Sequence, residues 1–103
     1  MTSNDQSNKP PQTISSASDV YKVIDELKSE CQRHKEHELY HALDDALKLG
    51  GSALEILGAL RQILLEQRAQ VQRLLGPSAQ SVVAQIIEYV DLAYGAVSTS
   101  THH

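Results

Sequence analysis

Residues 53–97 read ALEILGALRQILLEQRAQVQRLLGPSAQSVVAQIIEYVDLAYGAV, and the spacing of their apolar side chains decides the fold. Leu57, Leu60, Leu64, Gln67, Val71 and Leu74 recur at intervals of 3, 4, 3, 4 and 3. Beyond Gly76-Pro77-Ser78, Ala79, Val83, Ile86, Val90, Ala93 and Val97 recur at 4, 3, 4, 3 and 4. These intervals hold side chains on one face of a helix, and the branched residues never alternate as they would in a strand. A glycine just past a helix end, followed by Pro or Ser, closes one helix and opens another. The stretch is therefore expected to form helices over about 53–75 and 78–97. Their short join implies antiparallel neighbours that pack at a shallow angle. Small Ala79 and Ala93 admit close approach. Gln67 interrupts the seam, either as a tolerated, partly exposed polar residue or as a buried polar layer that fixes register.

A second turn signal, Gly50-Gly51-Ser52, closes a helix expected over about 18–49. Ser18 is expected to cap it, with Asp19 favourable in the first turn. Its apolar stripe does not keep one face. The first half offers Val20, Ile24 and Leu27, and the second Leu39, Leu43, Ala46 and Leu47, displaced by roughly a quarter turn or more. Between them lies CQRHKEHE, residues 31–38. The helix either bends or breaks near 32–37 or meets two different partners. With no Gly or Pro there, an uninterrupted or bent long helix is expected.

The reading is thus all-α: a three-helix antiparallel bundle with a long first helix, in one domain over 18–97. Residues 1–17, rich in Ser, Asn, Gln, Thr and Pro, cannot bury enough surface to offset their ordering and are expected to be disordered. Residues 98–103 are expected to be flexible, and the terminal His102-His103 pair, tag-like in character, is set aside from any site. Leu54 and Leu65 fall off the main seam of the 53–75 helix. Ile87 and Tyr94 widen one flank of the next helix, and Leu92 falls on its polar side. Stripes this wide exceed what a small bundle covers, so a homodimer is expected.

The chain has 103 residues, 9 Lys+Arg against 13 Asp+Glu and a net charge of −4. Mild acidity argues against a nucleic-acid or anionic-membrane partner. No Lys or Arg follows Arg73, so the last helix is no phosphate-facing recognition helix. Arg61 and Arg68 share one flank, and are expected to pair with Glu38, Asp44 or Asp45 rather than form a docking strip. No apolar run could serve as a signal or span a bilayer, and the lone Cys31 suits a reducing compartment, so a cytoplasmic protein is expected.

The most unusual cluster is Cys31, His34, His37, Glu38 and His41. On one continuous helix, Cys31, His34, Glu38, His41 and Asp45 would share a face. Glu38-x-x-His41 is also the spacing used in carboxylate-bridged di-metal bundles. A metal site on His34, Glu38 and His41 would need a second copy and a ligand such as Glu55, Glu66 or Glu88; otherwise the cluster is a solvated charged patch. Cys31 and His34 could touch, but a mid-helix Cys lacks the free N–H groups of an oxyanion site. No enzyme is therefore expected. The expected function is a non-enzymatic protein-protein interaction module: a small regulator, adaptor, or sequestering or immunity-type protein. No cofactor is expected, and the partner-binding residues are Leu54, Leu65 and Leu92. The alternative is a metal-binding helical-bundle protein or metalloenzyme using the His/Glu face.

Overall fold

The computed structural model describes residues 13–101, with side chains through Gly95, and among these it is all-α, with no strand. Five helices follow in order: α1 (Ala17–Arg33), α2 (His37–Leu47), α3 (Ala53–Glu66), α4 (Arg68–Leu75) and α5 (Ala79–Thr101). The turns expected at Gly50-Gly51 and Gly76-Pro77 are present. Gly76 has φ 88° and ψ −168°, a region that glycine alone occupies readily. Its N–H donates to the Gln72 carbonyl, and the N–H of Ala79 donates back to the Gly76 carbonyl. Ser52 opens α3 by accepting from the N–H of Glu55 at 3.2 Å.

The expected long first helix is two helices. α1 ends where Lys35 takes the left-handed conformation, φ 60°. The N–H of Glu36 then donates to the Cys31 carbonyl at 2.8 Å, and that of Lys35 to the Gln32 carbonyl at 3.3 Å. This pair of bonds is a Schellman ending, which usually places glycine where Lys35 stands. The chain reverses within residues 34–36, and α2 folds back onto α1. The displaced apolar stripes explain why. A straight helix could not turn both Leu27 and Leu43 into one core, and both are fully buried here.

The expected 53–75 helix is interrupted at one residue, Gln67, with φ −110° and ψ 30°. Its N–H still reaches the Ile63 carbonyl and its own carbonyl accepts from Val71, so helical bonding resumes at once. α4 packs on α1 and α5, while α3 packs on α2 and α5. Gln67 itself is exposed, and no polar residue is buried among those described. It is a tolerated polar position and not a buried layer.

One apolar core joins all five helices. Val20, Val23, Ile24, Leu27 and Cys31 come from α1, and Leu39, Leu43 and Ala46 from α2. The expected seam supplies Leu57, Leu60, Leu64 and Val71, met by Val83, Ile86 and Val90 of α5. Ser16, not Ser18, caps α1, accepting from the N–H of Asp19 at 3.3 Å. Asp19 reaches back to accept from the N–H and hydroxyl of Ser15. The N–H of Ile14 donates to Gln85 Oε1 of α5 at 3.0 Å. Residues 14–17 therefore belong to the fold, while the expected N-terminal tail falls outside the described residues as far as residue 12. At the other end α5 continues through Thr101, and His102 and His103 lie outside.

Lys35→Gly tests the break. Relief of the left-handed strain should outweigh glycine's extra freedom in the unfolded chain, raising stability by about 0.5–1 kcal/mol. In a continuous helix the same change would lower it by about 1 kcal/mol. The shift in urea midpoint gives the sign directly.

Candidate functional site

The break separates the residues expected to bind metal. His34 is the C-cap of α1, whereas Glu38 and His41 lie on α2, and all three are exposed. Among the described residues no three His, Cys, Asp or Glu side chains converge as a metal site would require. The single face through Cys31, His34, Glu38, His41 and Asp45 existed only on a continuous helix. His34 Nε2 instead lies 3.5 Å from Glu30 Oε1, and the ring of His41 stands edge-on to Tyr40. Glu36, in the turn, accepts from the Gln70 amide of α4 and so fastens the reversal to the bundle.

Cys31 is buried in the core, apart from His34 on the exposed cap. Burial first, then the nearby charges of Glu36 and Glu30, pushes its thiol up to about 11. A thiol held protonated is a poor nucleophile.

The salt bridges differ from those expected. Asp44 pairs with Lys28 at 3.0 Å and with Lys48 at 2.9 Å. Hydrogen bonds from those two ammonium groups hold its carboxyl below the ordinary range. Arg61 does not reach α2. It turns to α5, placing Nε 2.8 Å from Asp91 Oδ1 and Nη2 3.5 Å from Oδ2. Arg61 therefore leaves no basic strip on α3.

That ion pair marks a shallow surface depression between α3 and α5, lined by Glu55, Gly58, Ala59, Arg61, Asp91 and Tyr94. Its floor depends on Gly58. A Cβ there would lie 2.3 Å from Tyr94 Oη and 3.2 Å from Cζ, so only glycine lets the ring lie across α3. The Tyr94 hydroxyl donates to the Leu54 carbonyl at 2.6 Å. Pairing of 54 with 94 and of 61 with 91 shows that α3 and α5 run antiparallel. The intervals within 54–58–61–65 place Leu54, Gly58, Arg61 and Leu65 on one strip of α3.

Of the residues expected to bind a partner, Leu54 is half-buried, Leu65 is 37% exposed and Leu92 is 67% exposed. Tyr94, itself 40% exposed, lines the depression and meets the Leu54 carbonyl, while Leu65 lies one turn beyond Arg61 on α3. Leu92 stands apart on the outward stripe of α5 with exposed Ser81 and Glu88, opposite the buried seam. Leu49, expected to end the long helix, is an exposed apolar residue between α2 and α3. The Arg61–Asp91 pair and the Gly58–Tyr94 fit leave no mark in periodicity, because each joins residues distant in sequence. Among the described residues no helix is long and apolar enough to cross a membrane. No protein-family model, curated protein sequence or solved structure matches the chain.

The raised Cys31 thiol predicts a pH dependence of stability. An unfolded thiol ionises near 9.0 and the folded one near 11. Between these values the unfolded chain sheds a proton that the folded chain retains, so stability falls as pH rises. Urea midpoints at pH 8 and pH 10.5 should show a steeper loss in the wild type than in Cys31→Ala.

Proposed function

We propose that this chain is a non-enzymatic protein-interaction module, acting as a small regulator, adaptor or sequestering protein, and that it also associates with itself. The observation that carries the reading is Leu92, 67% exposed and directed away from a core already closed by other side chains. A single exposed leucine is ordinary on a protein surface. Here Leu49, Leu65 and Tyr94 add further apolar surface on neighbouring elements. The α3–α5 depression sets the Arg61–Asp91 pair beside Gly58, Ala59 and Tyr94, with Leu54 and Leu65 further along the same strip of α3. That arrangement suits another protein surface, particularly a helix, better than a small substrate. The acidic net charge and the absence of a Lys or Arg after Arg73 fit a protein partner rather than a nucleic acid. A cytoplasmic setting is part of the proposal, supported by the single free Cys31.

Leu65→Glu and Leu92→Lys test the docking role. Neither side chain is needed by the core, so stability should change by no more than about 0.5 kcal/mol. Partner capture from an extract of the native cells should be lost in both variants while the wild type retains it. Capture unchanged in both would refute these residues as the docking surface.

A further inference from the structure

We propose that two copies of this chain exchange their first helices: residues 34–36 straighten, α1 and α2 become one helix over 17–47, and each α1 packs on the α2 and α4 of the other copy. The proposal extends the self-association put forward above by naming its route, and it starts from Lys35. A non-glycine residue at φ 60° carries local strain that a straight helix would remove. Residues 31–38 contain neither Gly nor Pro, and their Gln, Arg, Lys and Glu are good helix formers. Nothing in the local sequence therefore opposes straightening, and only tertiary contacts keep the hairpin closed.

The apolar contacts and the ion pair between α1 and α2 survive exchange. Val20, Val23, Ile24 and Leu27 would meet the same apolar residues, supplied by the second copy. The Lys28–Asp44 bridge, which joins α1 to α2 within one chain, would join two chains instead. The bonds of the Schellman ending would be replaced by regular helical ones. His34 and Lys35 are exposed, so the hinge opens without moving a core side chain, and the tertiary bond it gives up is that of Glu36 to the Gln70 amide. A short, strained hinge between elements that keep their contacts is the physical setting in which exchange between copies occurs. Straightened, the segment would be a rod about 46 Å long.

The Lys28–Asp44 bridge gives a test that distinguishes exchange from surface dimerisation. Lys28→Asp and Asp44→Lys each place like charges at the bridge within their own chain. Refolded together at high concentration, exchanged heterodimers would restore both bridges. Ion-exchange chromatography, which resolves the three dimers by charge, should then show the heterodimer well above its binomial share. Dimers in binomial shares would overturn exchange while leaving self-association intact. A wild type that stays at 11.3 kDa after refolding at every concentration would overturn both. Two hinge variants give an independent reading should the charge variants fold poorly. Each dimer contains two hinges, so Lys35→Gly should raise the dimer dissociation constant by about a hundredfold or more. Lys35→Ala keeps the strain and favours the straight helix, and should lower it. No opposite movement of the two would overturn the proposal.

Discussion

Lys35 in the left-handed conformation is the constraint on which the rest of the fold depends. Only by reversing there can the chain bring Leu39, Leu43 and Ala46 against Val23, Ile24 and Leu27. The local cost of that backbone is about 1–2 kcal/mol. Burying each of Leu39 and Leu43 returns about 1.5–3 kcal/mol, so tertiary packing prevails over local preference. Exchange between copies keeps that burial and removes the strain, so a second copy offering the same contacts to a straight helix can compete. Glu36 ties the reversal to α4 through Gln70, which makes α4 part of the same device.

The other half of the molecule rests on the antiparallel α3–α5 pair. Its seam is wholly apolar, and its outer edge is set by the Arg61–Asp91 fork and by Tyr94 lying over Gly58. An ion pair this exposed contributes little stability, but its geometry fixes the register of the two helices. The depression it leaves is lined by Glu55, Gly58, Ala59 and Tyr94 beside the ion pair. Leu92 points elsewhere on α5, away from this depression.

The seams of α3 and α5 were legible in the spacing of their leucines, valines and isoleucines, because burial of one face imposes the helical period on sequence. Gly50-Gly51 and Gly76-Pro77 marked turns for an equally local reason. The break at Lys35 was not legible as such. The displaced stripes hinted at it, but the residue that adopts positive φ carries no glycine to announce it. The cap at Ser16 was missed because three serines compete within residues 15–18, and tertiary contact of Ile14 with α5 selects among them. Placing His34 on one face with Glu38 and His41 followed from assuming a straight helix; the break sets His34 apart, while Glu38 and His41 stay together on α2. Arg61 was matched to the wrong acid because sequence shows which charges exist and not which helices become neighbours.

The most direct measurement of this account is the backbone chemical shifts of residues 17–47 in dilute solution, where a single copy folds alone. Helical values are expected through Arg33, a left-handed residue at Lys35, and helical values again from His37. An unbroken helical series across residues 33–37 at the same dilution would contradict it.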